Sequence, residues 1–313
     1  MATVTAPAPA PAPARASLRH RLAERGIDRV LLLLLPAGLF IVLLFCYPFL
    51  YGLQLSFAPQ PDSDSVRRFG ATALANYRTF FADSYLRDSV WLTLKLGLPA
   101  ALVNVLVSVP IAYRMRGRFR GKRLVTTLLV VPITLGTVLT ADGLLTYFGP
   151  TGWFNKLLRS VGLADDPVRL VHNYWGVLFS LIITGFPFAF LLTLSYLSGI
   201  DPSLERAAAT LGAGWWQRFR HVTLPLLSPG LAVTFCLSFV LAFSVFPSAI
   251  LVGEPAGATH VISIAAYHAA FEQYDYSMAA AISMIMGAVE LAVIGLVLGW
   301  RSRLYRGATG VKG

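Results

Sequence analysis

The chain has 313 residues, of which 56% are apolar and only 13% charged, and its mean hydropathy is +0.65. Soluble proteins place about a quarter of their residues in the charged class, so half that share cannot cover a water-facing surface of this size, and lipid must cover the rest. The net charge of +11 would suit nucleic acid, but a basic binding domain is not built from this much Leu, Val and Ala, so no nucleic-acid partner is expected.

In chain order, the first 16 residues carry Ala-Pro repeats. Pro removes backbone donors and favours extended conformations, so residues 1–29 are expected to form a disordered, basic cytoplasmic tail. Basic residues 19–29 followed by Leu31 to Leu35 imitate a secretory signal, but the apolar stretch is span-length and lacks a small-residue cleavage site. The first span is therefore expected to stay attached. Six stretches reach the roughly 20 apolar residues that a spanning helix needs: 30–51, 89–113, 124–148, 174–197, 229–252 and 276–300. The two cysteines, Cys46 and Cys236, both fall inside these stretches, which excludes a disulfide framework or a thiolate metal cluster.

The positive charge is distributed unevenly about the spans. With the amino terminus inside, the inner segments hold 18 Lys or Arg and the outer segments seven, with Lys95 alone within a span. Basic residues near span ends favour the cytoplasmic face, so both termini are expected there, including the basic tail 301–313. The decapeptide 114–123, RMRGRFRGKR, is read as such topology charge. Its Gly117, Gly121 and Lys122 only approximate a phosphate loop, since three residues separate the glycines where four are required and Arg123 follows the Lys.

Two outer connections interrupt the pattern. Residues 56–88 are polar and aromatic, with Asn76, Tyr77, Phe80 and Phe81, and are expected to carry interfacial helix. Residues 261–276 set Tyr267, Phe271 and Tyr274 three or four apart, so a helix there would align them on one face, as an aromatic belt or as a docking site for an external partner.

The inner connection, GIDPSLERAAATLGAGWWQRFRHVTLPLLSPG over 199–230, predicts helix, turn, helix. Asp201 or Ser203 can cap, Pro202 suits a first turn, 204–211 is rich in Ala and Leu, and Gly212 and Gly214 permit a sharp change of direction. A second short helix is expected over 215–222, limited by Pro225 and Pro229 before the fifth span.

These residues resemble the cytoplasmic signature loop of permease subunits of bacterial binding-protein-dependent ABC importers. The family pattern is Glu-Ala-Ala, three residues, Gly-Ala, then a Leu-Pro pair about a dozen residues beyond the Gly; Ala207, Ala208, Gly212, Ala213, Leu224 and Pro225 sit in register. Arg206 occupies the signature Glu position, with Glu205 displaced one residue, about 100 degrees around a helix. The resemblance implies an all-α, MetI-like permease core over 86–300 with an added first span at 30–51, in the bacterial inner membrane. It implies coupling to a separate ATP-binding subunit through Glu205, Arg206, Ala207, Ala208, Gly212, Ala213, Trp215, Phe219, Leu224 and Pro225. ATP and Mg would be bound by that subunit, and the other implied partners are a second permease subunit and an extracytoplasmic substrate-binding protein. No cofactor, metal or catalytic residue is expected in this chain, since no complete phosphate loop occurs and His20, His172, His221, His260 and His268 are scattered over loops.

Polar residues in the spans are candidates for the substrate pathway: Asn104, Asp142, Ser244 and Glu290, with Pro187 and Pro247 as kink sites. Glu290 lies about 21 Å along the sixth span, whereas Asp142 sits near the end of the third and can reach outer water. Gly295 and Gly299 are expected to aid close helix packing. The segment 262–282 resembles the spermidine/putrescine branch, and the outer acids Glu254, Glu272 and Asp275 would suit a polyamine, although permeases for inorganic anions, iron or phosphonates share the segment. The alternatives to an importer permease are a secondary transporter and a non-transporting membrane scaffold.

Overall fold

The computed structural model describes residues 29–117, 121–163 and 166–306. The expected amino-terminal tail, the middle of the basic decapeptide and most of the basic carboxyl-terminal tail lie outside the described residues. Every regular element among the described residues is helical, and six helices are long and apolar enough to cross a membrane. The all-α, six-span architecture is therefore as expected.

The chain divides into two compact units, residues 1–54 and 55–313. The first contains most of helix α1 (Pro36–Ser56), which includes a π-helical stretch at Val42–Cys46. From Pro36 to Tyr51 its side chains are exposed on every face, Leu44, Phe45 and Phe49 among them. A helix that is apolar all round is suited to lipid or to another apolar helix.

In the second unit, short helices α2 (Asp64–Phe69) and α3 (Ala75–Ala82) precede α4 (Ser84–Met115). Then come α5 (Lys122–Phe148), α6 (Trp153–Ser160), α7 (Tyr174–Ser198) and α8 (Pro202–Thr210). The fifth spanning helix is α9 (Trp215–Phe243), followed by α10 (Pro247–Leu251), α11 (Ile262–Tyr267) and α12 (Tyr276–Arg306). The core forms where α4 packs along α7 and α9. Alanines on α4 let the helices approach closely, Ala101 beside Phe239 and Phe243 and Ala112 beside Phe190 and Leu194. Several polar groups in this core pair within it: the hydroxyls of Ser108 and Thr193 lie 2.8 Å apart, and Thr93 Oγ1 donates to the Ser89 carbonyl while accepting from the Ile262 amide at 2.9 Å. Such pairing is required where no water can substitute. By contrast α5 and α12 are largely exposed within the chain, with Leu291, Leu296 and Trp300 uncovered.

Several details depart from the sequence reading. No second short helix ends before the fifth span. α9 runs from Trp215 to Phe243 without a break, because a π-helical stretch at Phe219–Thr223 brings Pro225 into the first turn of the following α segment, where a missing N–H costs least. The fifth span then stops at Phe243 instead of reaching residue 252. Ser244 leaves helical geometry, and Pro247 opens the separate helix α10 rather than kinking a longer one. Pro187 lies inside an unbroken α7; the backbone break falls instead at Gly136 in α5, with φ 76° and ψ 169°, a conformation only glycine adopts readily. Tyr267 and Phe271 do share a helical face, their rings 5.0 Å apart, but Tyr274 lies beyond the helix at φ 55°. Among the described residues a Cβ at Gly295 or Gly299 would meet nothing within 4 Å, so no close helix packing is seen at either.

Candidate functional site

Two groups of side chains concentrate the polar chemistry of the bundle, one at the end of the bundle that carries the 199–230 connection and one midway along it. At the first, α8 is a short helix that local chemistry alone would start and stop. The Asp201 carboxylate caps it by accepting from the Ser203 amide at 2.8 Å and hydroxyl at 2.6 Å, and these bonds, with that of the hydroxyl the stronger influence, hold its pKa below the usual carboxylate value. Pro202 fills the first turn. The helix ends in a left-handed residue, Gly212 at φ +85°, with Gly212 N donating to Ala209 O at 3.0 Å and Ala213 N to Ala208 O at 3.1 Å, the pairing of a Schellman stop.

The one acid in α8 faces the bundle. Glu205 Oε1 accepts from Arg116 Nη1 at 2.8 Å and from Thr223 Oγ1 at 2.6 Å, while Oε2 accepts from the Tyr113 hydroxyl at 3.2 Å. Arg116 also donates through Nη2 to the Ile200 carbonyl. The ion pair is mostly covered, its side chains 12% and 18% exposed, so the carboxylate joins α8 to the end of α4 and to the start of α9. Trp215 and Phe219 lie beside this junction: their rings stack 6.1 Å apart, and Tyr113 meets Phe219 edge-on at 5.2 Å. Leu224 and Ala213 are half-buried and Pro225 is exposed. Arg206 and Ala207 are exposed on α8, with Ala208 half-buried.

The sequence reading names Glu205 but does not identify its partners. Arg116 belongs to the decapeptide read as topology charge, and Tyr113 and Thr223 are 92 and 18 residues from Glu205. No local pattern marks such contacts.

Of the polar pathway candidates and kink sites, the structure brings Asn104, Ser244, Pro247 and Glu290 together. Asn104 of α4, Ser244 at the end of α9 and Pro247 of α10 line a cavity of about 320 Å³, with Thr137, Thr184 and Ser238. Glu290 of α12 joins through Oε1, which accepts from the Ser244 hydroxyl at 2.8 Å. Asn104 is 1% exposed and Ser238 3% exposed, and Asn104 Oδ1 and Ser238 Oγ have no hydrogen-bond partner among the described residues. Buried polar atoms of this kind ordinarily find a partner, so the cavity holds unsatisfied hydrogen-bonding capacity. Asp142 is exposed and stands apart from the cavity. Thr137, Thr184 and Ser238 escape the sequence reading because a Ser or Thr within a span commonly bonds its own helix, as Thr184 does to the Ser180 carbonyl. No group of three or more His, Cys, Asp or Glu among the described residues could hold a metal ion.

Comparison with known proteins turns this geometry into a family assignment. Residues 97–305 match the model of the binding-protein-dependent transport system inner membrane component. The probable sulfate transport system permease protein cysT of Prototheca wickerhamii is 31% identical over 206 residues, covering 66% of this chain and 79% of that protein. The sulfate transport system permease protein CysT of Escherichia coli strain K12 is 27% identical, covering 80% of this chain and 89% of that one. In fold, the chain is similar to a bacterial ABC transporter involved in import of the acidic polysaccharide alginate, with TM-score 0.74, 24% identity, and coverage of 90% of this chain and 99% of that chain. The expected likeness to the spermidine/putrescine branch finds no support in these relatives. A domain match that spans from the middle of α4 to the end of α12 takes in both polar sites, and the chain accordingly belongs to the inner-membrane permease subunits of binding-protein-dependent ABC importers.

Proposed function

We propose that this chain forms part of the substrate pathway of an ATP-driven importer, and that α8 is the element through which a separate ATP-binding subunit moves it. The observation that carries this reading is the attachment of α8: the helix stands at the end of the bundle with an exposed face, yet Glu205 fastens it to α4 and α9 at once. A helix so fastened cannot be displaced without moving the spans it is tied to. α9 then extends about 43 Å, at roughly 1.5 Å per residue over its 29 residues, and ends at Ser244 beside the pathway cavity. Displacement of α8 is thereby delivered to the place where α9, α10 and α12 meet. Arg206, Ala207, Ala208 and Gly212 present or shape the docking helix, and Trp215 and Phe219 hold it against the bundle.

In this reading the α8 end is cytoplasmic, which puts both termini inside, in keeping with the 18 to seven asymmetry of basic residues. ATP and Mg are bound by the partner subunit. A second permease subunit, identical or homologous, covers the exposed α5 and α12 faces that lipid does not, and an extracytoplasmic binding protein delivers cargo at the far end. Alternating access then requires only that nucleotide and binding protein stabilise the inward and outward states differently. Family membership disfavours a secondary transporter or an inert scaffold.

For cargo, the names of the relatives support a small inorganic oxyanion of the sulfate class over a polyamine. The neutral hydroxyl groups of Thr137, Ser238 and Ser248 along the cavity suit passage of such an ion, since they offer hydrogen bonds without a counter-charge that would trap it. The test is uptake of radiolabelled sulfate and of spermidine by vesicles containing this chain, its co-purified ATP-binding subunit and the binding protein. ATP-dependent sulfate uptake is expected; spermidine uptake in its place would overturn the cargo assignment, and full uptake by the permease alone would overturn the function.

A further inference from the structure

The charges on α8 are sorted by direction. Its acid, Glu205, is turned inward, and both carboxylate oxygens are engaged by Arg116, Thr223 and Tyr113. Its base, Arg206, is one residue on, about 100 degrees around the helix, and is exposed. Among the described residues Arg206 makes no ion pair. Asp201 feels its charge, but that carboxylate is committed to capping the helix through Ser203. Beyond Arg206 the exposed residues are Ala207, Ala209, Thr210, whose hydroxyl donates to the Ala207 carbonyl, and Leu211 just past the helix, 89% exposed, and none of them is charged. The rest of the connection adds half-buried Arg218 and exposed Arg220 and no further acid. What α8 presents to a partner is thus one fixed positive charge set in a small apolar face.

We propose that the ATP-binding subunit receives α8 in a cleft that places a carboxylate opposite Arg206, so that the contact between the subunits is an ion pair with the permease as the cationic side. This rests on the reading of α8 as the docking helix and specifies the chemistry of its receptor. The argument is charge complementarity. Docking buries Ala207 and Leu211, which removes Arg206 from water, and a guanidinium taken out of water without a counter-charge costs more than the small apolar face can return. Glu205 cannot supply that counter-charge, because turning it outward would leave Arg116 uncompensated at the junction. A planar guanidinium matched by a carboxylate can form two parallel hydrogen bonds, which would fix the angle at which α8 enters the cleft as well as its depth.

The experiment compares three variants of the full permease co-expressed with its ATP-binding subunit: Arg206→Gln, Arg206→Glu and Ala207→Trp. Association is read by co-purification and coupling by stimulation of ATP hydrolysis during uptake. Arg206→Glu should weaken association at least about tenfold, as expected for juxtaposed like charges at an interface, with Arg206→Gln intermediate and high salt narrowing the difference between them. Reversing one cleft carboxylate of the ATP-binding subunit to Lys should restore Arg206→Glu. Ala207→Trp, which blocks close docking without altering charge, should also abolish association. If Arg206→Glu associates normally while Ala207→Trp does not, the carboxylate is refuted and the docking helix stands. If neither variant has an effect, the docking reading itself falls.

Discussion

At the scale of single residues, Glu205 is the position where a one-residue shift in sequence reverses a role. On α8 the adjacent Arg206 faces solvent while Glu205 is held by three donors, so the acid acts as a strut. The asymmetry of a mostly covered ion pair gives its mutants a definite order. Arg116→Met removes the cation and leaves a carboxylate with only Tyr113 and Thr223, whereas Glu205→Gln keeps a carbonyl acceptor in place and removes only the charge. Loss of one charged partner beneath a surface costs about 1–3 kcal/mol. Arg116→Met is therefore expected to lower thermal stability in detergent and uncouple ATP hydrolysis from uptake more severely than Glu205→Gln. The double variant should recover part of the loss of Arg116→Met, because the uncompensated charge is gone. Equal and additive losses would mean that the pair is not the junction described.

At the scale of elements, the ends of α8 were readable from the chain and its attachment was not. Asp201, Pro202 and Gly212 mark the start and stop by local rules that hold wherever the helix lies, and the structure follows them. The spans were readable for a similar reason, since a run of about 20 apolar residues satisfies its own backbone in lipid without tertiary help. The start of α9 was misread because Pro225 and Pro229 signal a break by the same local rules, and the π-helical stretch at Phe219–Thr223 that absorbs Pro225 has no comparable sequence mark. The break at Gly136 was missed because a glycine in an apolar run is equally compatible with an unbroken span. These distinctions predict how Gly212 responds to substitution. A Cβ there meets nothing within 4 Å among the described residues, so the cost comes from the left-handed backbone rather than from crowding. Gly212→Val should destabilise the turn by about 1–2 kcal/mol or more and weaken association with the ATP-binding subunit, while Gly212→Asn, which tolerates that conformation, should retain most of it. Matching losses in the two variants would indicate that Gly212 is needed for contact with the partner and not for the turn.

At the scale of the molecule, the pathway candidates acquire meaning only from the meeting of separate helices. Asn104, Ser244 and Glu290 are isolated polar residues in the sequence, and the fold places two of them at one cavity and the third on the hydroxyl of Ser244. The bond from Ser244 to Glu290 crosses from the residue that ends α9 to the middle of α12, at the end of the rod that begins beside α8. Two roles for Glu290 give opposite results. If the carboxylate acts by its charge on passing cargo, Glu290→Gln should alter uptake as strongly as Glu290→Ala. If it acts as a latch between α9 and α12, Gln should serve, because its side-chain oxygen still accepts from Ser244, whereas Glu290→Ala and Ser244→Ala each lose the bond. The latch is the role that an anionic cargo allows, since a free carboxylate beside the cavity would oppose its passage, whereas Glu290 Oε1 is committed to the bond from Ser244 that joins α9 to α12. Uptake is expected to survive Glu290→Gln and to fall about tenfold in both alanine variants, with association of the ATP-binding subunit unchanged in all three. The double variant, Ser244→Ala with Glu290→Ala, should be no worse than either single one, since both remove the same bond. Uptake lost in Glu290→Gln alone would replace the latch with a charge that acts on cargo.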